Sequence, residues 1–196
     1  MDSIDFQIAK FAVFLDTNVL YSSHLRDLIL RLAAFDTFRV HWSRDVLNEH
    51  RDCLLMRAGV TSEKVDRLHE QMTRAFPHAL VEEYKSMLVG ISLPDPTDVH
   101  VVAAAVKGRC DLILTANLKD FPPVALESFE ISAQHPDVFL GHHMSLEKEI
   151  TLKVVKGILL DMAKPKLSFE DYIERLEHAG LVTFTESLKD VKDLLT

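Results

Sequence analysis

The apolar run Phe11–Leu15 (FAVFL), which ends abruptly at Asp16, is the feature that most constrains the fold of this chain. Five consecutive apolar residues predict a strand covered on both faces, which is typical of a parallel sheet. The polar break that follows, Thr17 and Asn18, contains neither Gly nor Pro. Two interpretations are open: Asp16 caps the next helix, or a buried strand delivers its carboxylate to a functional site.

Strand-like and helix-like stretches alternate along most of the chain. The later predicted strands are Arg39–Trp42, Met87–Leu93, Leu112–Leu114 and Phe129–Ser132. The predicted helices begin near Val19, after a Ser43 N-cap, at Thr61 or Ser62, and after a Thr97 N-cap, the last one ending at Gly108. This alternation indicates an α/β domain with a parallel sheet.

Only helical patterns follow from about His135 onward. One begins at Ser145, a capping box at Ser168 begins the next, and Leu181–Leu195 forms the last. The chain is therefore predicted to divide into an α/β domain, residues 1–134, and a helical C-terminal extension, residues 135–196. The apolar stripes of the extension either pack against the α/β domain, which is the favoured interpretation, or bind a partner. Their members include Val154, Ile158, Leu181 and Leu188.

Size and charge limit the possible classes of protein. The 196 residues suit one domain of ordinary size with an extension, and 47% hydrophobic residues argue against wholesale disorder. The formal net charge of -8 argues against a generally basic nucleic-acid-binding surface. It does not exclude a local basic groove, nor a site that holds cations against an anionic substrate.

Cysteine usage and hydropathy predict a cytoplasmic protein without a membrane span. Cys53 and Cys110 form no CxxC pair and are expected to be free thiols in a reducing compartment. The N-terminus carries acids early, unlike a signal peptide, and no apolar run approaches the roughly 20 residues of a transmembrane helix.

Four acids recur where a predicted strand ends or in the helix that follows it: Asp16, Glu49, Asp98 and Asp120. In an open parallel sheet these positions share one edge, which is the usual ligand side. Carboxylates gathered there would repel one another unless they were protonated or bridged by cations. Oxygen ligands favour a hard divalent ion such as Mg²⁺ or Mn²⁺. Ordinary helix capping and surface exposure remain alternatives for each acid.

Other chemistries fit less well. His69-Glu70 begins like the zinc motif HExxH, but Thr73 occupies the position of the second histidine. Phosphatases with an aspartyl nucleophile need a second acid where Asn18 stands, and the chain has no glycine-rich phosphate loop. The adjacent pair His142-His143 is interpreted as surface, and His100 either as a structural histidine, which is the favoured interpretation, or as a substrate contact.

Three segments together resemble the PIN domain, the fold of many metal-dependent ribonucleases, and most of all bacterial PIN proteins of the VapC toxin type. The segments are FLDTNVLYS, WSRDVLNEH and LPDPTDVHVVAAAVKGRCDLILTANLKDFP, within roughly residues 10–132. The resemblance implies a three-layer fold whose parallel sheet has helices on both sides. It also implies an acidic cluster that binds one or two Mg²⁺ or Mn²⁺ ions.

The resemblance assigns roles to particular residues. Asp16, Glu49 and Asp98 match the first three family acids, with Asp16 and Asp98 as metal ligands. Many relatives carry the fourth acid where this chain has Asn117, so either Asn117 or the nearby Asp120 completes the set. Asn18 and Thr115 match polar positions that orient the acids and water.

The implied activity is metal-assisted, in-line hydrolysis of RNA. Lys119, in the loop near the fourth acid, is the best candidate for an RNA contact, followed by Arg44 and Arg51. Relatives of the toxin type pair with an antitoxin protein, and many form homodimers. The alternative is a degenerate PIN protein that binds a partner without catalysis, which the substitution at Asn117 makes conceivable.

Overall fold

A computed structural model describes residues 10–161 and 168–195 of the chain. Its centre is one five-stranded sheet in the order β3-β2-β1-β4-β5, in which every pairing is parallel. The strands are β1 Ala12–Leu15, β2 Arg39–Ser43, β3 Leu80–Val81, β4 Leu112–Leu114 and β5 Ser132–Gln134. The predicted α/β class is confirmed.

Ten helices lie in the described part of the chain, together with short 3₁₀ turns. They are α1 Thr17–Tyr21, α2 Ser23–Ala34, α3 Arg44–Leu55, α4 Ser62–Ala75, α5 Val99–Lys107, α6 Pro123–Leu126, α7 Pro136–Leu146, α8 Lys148–Asp161, α9 Phe169–His178 and α10 Val182–Lys189. No helix of residues 10–161 and 168–195 is both long enough and apolar enough to cross a lipid bilayer.

The central strand explains the run from which the sequence argument began. All four residues of β1 are fully buried, because β2 and β4 pair with it on either side and helices cover both faces. The backbone N–H of Asp16 still donates to Leu114 O, at 3.1 Å. Asp16 therefore emerges at the carboxyl edge of the sheet, between its two central strands.

The prediction of a strand at Met87–Leu93 is wrong, because the third strand of the sheet is β3, which lies earlier in the chain. A 3₁₀ turn at Lys85–Met87 precedes this stretch, and Gly90 adopts a φ of +94°, a turn conformation rather than an extended one. Val89 is 90% exposed, so its β-branched side chain lies outside the core. The stretch has the apolar composition of a strand, but of its residues only Leu93 is buried.

The last strand is predicted at Phe129–Ser132, but in the structure it begins three residues later than Phe129. Phe129 ends a 3₁₀ turn, and Glu130 follows it in the left-handed region with a φ of 57°. The chain therefore becomes extended only at β5. Pairing with β4 then aligns Ser132 with Leu112.

Two of the predicted helix caps are confirmed and one is wrong. Ser43 Oγ accepts from Val46 N at 3.2 Å, and Ser168 forms the expected capping box. Thr97 does not cap α5. It lies inside a 3₁₀ turn, where Asp95 accepts hydrogen bonds from its backbone N–H and its hydroxyl.

Gly108 ends α5, but its own φ of -74° is one that any residue adopts. A Cβ there would lie 2.9 Å from Val81 Cγ2 and 3.2 Å from Cys110 Sγ. Close packing of the end of α5 against β3, rather than a left-handed turn, therefore requires the glycine.

The helices of the C-terminal extension share one hydrophobic core with the sheet. The stripe residues Val154, Ile158, Leu181 and Leu188 are all buried in this core. The partner-binding interpretation of these stripes is therefore wrong, and the packing interpretation is confirmed. The predicted helix from Ser145 is in fact α7 followed by α8, with a break at Glu147, and the last helix ends at Lys189 before a 3₁₀ turn.

The interpretation of His143 as a surface residue is wrong. His143 is 7% exposed, and its two ring nitrogens lie 2.9 Å from Thr151 Oγ1 and 3.0 Å from Thr37 Oγ1. Its neighbour His142 is exposed. The break between α7 and α8 folds Thr151 back onto His143, a contact that spacing along one continuous helix does not predict.

Candidate active site

Asp16 both caps a helix and holds a carboxylate at the sheet edge. It is the N-cap of α1, where Oδ1 accepts from Thr17 N at 2.7 Å. Its Oδ2 accepts from Thr115 Oγ1 at 2.7 Å and from Asn18 Nδ2 at 2.5 Å. Burial raises the pKa of Asp16, although the bonds from Thr115 and Thr17 partly oppose this. The capping interpretation is therefore confirmed, and Asp16 also lies at the sheet edge where the functional interpretation requires it.

Asn18, in α1, and Thr115, directly after β4, together fix the position of the Asp16 carboxylate. Asn18 Nδ2 also donates to Thr115 Oγ1 at 2.9 Å, and Asn18 Oδ1 accepts from Ala116 N at 2.9 Å. The Thr115 hydroxyl in turn accepts from Asn117 N at 3.0 Å. These bonds connect the carboxyl ends of β1 and β4, and they fix the orientation of the Asp16 carboxylate.

Asp98 approaches the site from the 3₁₀ turn directly before α5. Its pKa is raised to about 6, first by burial and then by the negative charges of Asp16, Asp95 and Asp120. No described Lys or Arg side chain lies within ion-pair distance of Asp16 or Asp98. The charge of His100 partly lowers the pKa of both carboxylates, but it does not offset burial and the repulsion between the acids.

Glu49 lies on α3 and is held by two residues. Thr17 Oγ1 donates to its Oε2 at 2.5 Å, and His100 Nε2 lies 2.7 Å from its Oε1. Burial alone would raise the pKa of Glu49, but His100 and Thr17 outweigh it and lower the pKa. Burial likewise opposes protonation of His100, whereas Glu49 raises its pKa overall. His100 therefore lies beside a carboxylate that stays ionised, and its structural role stays a prediction.

The two candidates for the fourth position contact each other. Asn117 Nδ2 donates a short hydrogen bond to Asp120 Oδ2. One carboxylate oxygen each of Asp95, Asp98 and Asp120 lies within 4.8 Å of the others, a spacing that suits a metal ion, and this group does not include Asp16 or Glu49. The sequence argument missed Asp95. Its only signal was its position three residues before Asp98, in the segment DPTD.

Three of the acids, Asp16, Glu49 and Asp98, open onto a cleft with a volume of about 430 Å³, whereas Asp95 and Asp120 do not line it. Asp16, Glu49, Asp98 and Asn117 line its polar side. The rest of the lining comes from α1 and from the C-terminal end of α3, and includes Tyr21, Cys53 and Met56. The acidic edge thus faces an accessible space rather than the interior of the fold.

The donor set fits a hard divalent cation. Every acidic side chain gathered here offers carboxylate oxygens, and the hydroxyl and amide groups beside them add only oxygen and nitrogen atoms. Such ligands suit Mg²⁺ or Mn²⁺ rather than a thiolate-bound metal. A bound cation would also offset the charge repulsion that raises the pKa of Asp98.

The three basic residues predicted to contact RNA differ in their exposure and in their partners. Lys119 is 82% exposed, and its Nζ lies 4.0 Å from Asp120 Oδ2, at the rim of the acidic cluster. Arg44 is exposed at the start of α3. Arg51 forms an ion pair with Asp66 on α4 and is therefore directed away from the acids.

Comparison with known proteins assigns the chain to a class. The PIN domain family matches residues 12–119, more than half of the chain, and the chain belongs to this family. The family resemblance drawn from the three sequence segments is therefore confirmed. No solved structure gives a significant match.

A more particular similarity comes from two further matches. The family described as VapC50 C-terminal domain matches residues 136–190. The putative ribonuclease VapC50 of Mycobacterium tuberculosis (strain ATCC 25618 / H37Rv) is 47% identical over 62 residues, which cover 32% of this chain and 37% of that protein. The aligned stretch thus spans little more than a third of the relative.

Proposed function

We propose that the chain is a divalent-metal-dependent endoribonuclease of the VapC toxin type, which hydrolyses RNA phosphodiester bonds with Mg²⁺ or Mn²⁺. The observation that carries the proposal is the pair of carboxylates, Asp16 and Asp98, which line one accessible cleft and whose pKa values are both raised there. Membership of the PIN domain family supports it, as does the printed description of the relative as a putative ribonuclease.

In this proposal Asp16 and Asp98 hold the metal. When bound there, the ion would supply Lewis-acid chemistry, which would favour attack of water on the scissile phosphate. Asn18 and Thr115 keep the Asp16 carboxylate in one orientation. Glu49, ionised and held by Thr17 and His100, accepts a proton from the attacking water.

We further propose that Asp120, rather than Asn117, supplies the fourth acid. Its carboxylate lies within metal-ligand spacing of Asp98, and the Asn117 amide donates to it. A Glu or Asp at position 117 is then unnecessary, because Asn117 orients the acid three residues further on. This arrangement favours a catalytically active nuclease over a PIN protein that has lost catalysis.

The VapC-type proposal extends to partners and organisation. It implies an antitoxin protein as partner, RNA as substrate and a cytoplasmic location, while homodimer formation stays a prediction from the family resemblance. The division into residues 1–134 and 135–196 is also a proposal. The PIN domain match ends at residue 119 and the second family match begins at residue 136, which supports a boundary between them.

Metal dependence is tested by two measurements on the purified protein. We expect calorimetric titration to detect Mn²⁺ binding and cellular RNA to be cleaved with Mn²⁺ or Mg²⁺. Chelation should abolish the cleavage, and added Mn²⁺ should restore it, because no described Lys or Arg pairs with Asp16 or Asp98, and Lys119 reaches only Asp120 at the rim. A degenerate PIN protein would show neither binding nor cleavage, and that result would refute the proposal.

The role of Lys119 is tested by charge reversal. Lys119→Glu should weaken binding of single-stranded RNA roughly tenfold and lower the salt dependence of binding, since one phosphate contact is lost and repulsion is added. Fluorescence anisotropy with Ca²⁺ in place of Mg²⁺ measures this. Lys107→Glu, an exposed lysine at the far end of α5, is the matched control. Equal losses in both variants would contradict a specific contact at Lys119.

A further inference from the structure

The acidic cleft continues into a second groove, with a volume of about 610 Å³. Asn18 and Tyr21 line both spaces. From there the second groove runs between the junction of α1 with α2 and the C-terminal end of α9, where Arg175 and His178 line it. The PIN fold therefore supplies one wall of this groove, and the C-terminal extension supplies the other.

Two arginines face this groove from its two sides. Arg57, just beyond α3, lies 3.8 Å above the centre of the Tyr21 ring, and its Nη2 is 3.4 Å from Tyr21 O. Arg175, on α9, contacts His24 Nε2 through Nη1 at 3.0 Å. Both arginines are exposed. Each guanidinium is thus held in position by a contact while its outer face stays open to the groove.

Neither contact neutralises its arginine. Burial, and then the charge of Arg175, lower the pKa of His24, so its ring is neutral at neutral pH and accepts from Arg175. Tyr21 offers only a ring face and a carbonyl oxygen. Among the described residues, no carboxylate lies within ion-pair distance of either guanidinium. Glu174 lines the same groove, and two arginines outweigh this one acid.

We propose that this groove binds the RNA strand next to the scissile bond, with Arg57 and Arg175 on successive stretches of its phosphate backbone and Tyr21 beside a base. The proposal rests on the nuclease function above and assigns the C-terminal extension a part in substrate binding. A protein of net charge -8 repels RNA over most of its surface, so fixed cationic groups next to the acids are needed to hold the strand.

The arrangement suits a nucleic-acid strand better than a small anion. The two guanidiniums lie on opposite walls of a groove that opens directly from the acidic cleft, as a continuous polyanion requires. Arginine binds phosphate through its planar fork of donors, and aromatic rings serve as stacking surfaces for bases. An acidic peptide segment is the competing occupant, and the experiment separates the two.

The experiment measures binding and cleavage separately. Fluorescence anisotropy of a labelled single-stranded oligoribonucleotide in Ca²⁺ buffer, with RNA integrity checked on a gel, compares wild type with Arg57→Gln and Arg175→Gln. Each variant should raise Kd roughly three- to tenfold and reduce the slope of log K against log salt by about 0.7. Arg67→Gln, an exposed arginine on α4, should change neither quantity.

Further variants and readouts exclude a merely structural effect. Arg175→Lys keeps the charge and should retain most of the salt slope, whereas Arg175→Gln should not. In cleavage assays both Gln variants should raise KM and leave kcat within about twofold, since neither arginine contacts the acids. Thermal unfolding of all variants should match wild type, because both side chains are exposed.

The possible failures are distinguishable. RNA affinity that is unchanged in both Gln variants overturns the groove proposal and leaves the nuclease function standing. Affinity that falls as expected, in a protein that cleaves nothing, supports the groove and overturns the nuclease function. Unchanged RNA affinity together with weakened binding of a poly-glutamate peptide assigns the groove to an acidic protein partner and overturns the RNA assignment.

Discussion

Asp16→Asn is expected to reduce RNA cleavage by at least about 10²–10³-fold, which corresponds to roughly 3–4 kcal/mol of lost transition-state stabilisation. Asparagine keeps the size of the side chain and an oxygen for the cap of α1, but it removes the charge that we propose binds a divalent cation. Calorimetric Mn²⁺ titration should show the same loss, with weaker or undetectable binding.

The fold should survive this substitution, which separates lost chemistry from lost structure. Asp16 is 6% exposed, and removing a buried carboxylate charge removes a desolvation cost. The amide can still accept from Thr17 N, while Thr115 and Asn18 adjust to an amide in place of the second oxygen. Without divalent ions, the melting temperature should therefore equal or exceed that of wild type.

Asp52→Asn is the matched control for this prediction. Asp52 is an exposed acid on α3, the helix that carries Glu49, and the substitution removes the same charge without touching the cleft. It should cleave RNA at the wild-type rate. An Asp16→Asn protein that cleaves within twofold of wild type would refute the assigned metal site, whatever its stability.

The sequence predicted features that depend on local patterns. The run before Asp16, the cap at Ser43 and the apolar segment Leu112–Leu114 each carry their signal within a few residues, and the structure has each of them. The edge of the sheet that gathers the acids follows from parallel pairing alone. Site residues tied to strand ends were therefore accessible to prediction.

Features that depend on distant packing were missed. Met87–Leu93 has the composition of a strand, but only the tertiary structure decides that Leu80–Val81 pairs with β2 instead. His143 becomes buried because Thr37 and Thr151 reach it from other elements. These outcomes arise from contacts between residues that are far apart in the sequence or beyond a helix break.

The second groove illustrates the same limit at the candidate site. Arg57 and Arg175 are 118 positions apart, and nothing in their neighbouring residues relates one to the other. The two arginines line one groove only because α9 packs near the start of α2, where Arg175 contacts His24. The sequence argument selected Lys119, Arg44 and Arg51 because they lie near the predicted acids along the chain, and it therefore passed over this pair.

The second large effect is expected at the packing of the C-terminal extension. Phe184 on α10 is fully buried, and α10 packs against α7. The Asp137 carboxylate accepts from the N–H groups of Thr183 and Phe184, at 3.0 and 2.7 Å, and so fixes the first turn of α10. Phe184→Ala should lower the free energy of unfolding by about 3–5 kcal/mol, since it leaves a cavity in the shared core.

Urea unfolding followed by two signals tests both the size of this effect and the continuity of the core. Trp42, the only tryptophan, is fully buried in β2 and reports on the sheet, whereas far-UV circular dichroism reports on all helices. Because the extension and the sheet share one core, both signals should shift together in Phe184→Ala. Val182→Ala, at a 54% exposed position of α10, should stay within about 0.5 kcal/mol of wild type. A helix signal that shifts while Trp42 fluorescence does not would contradict a single cooperative core, and would mean that residues 135–196 unfold as a separate unit.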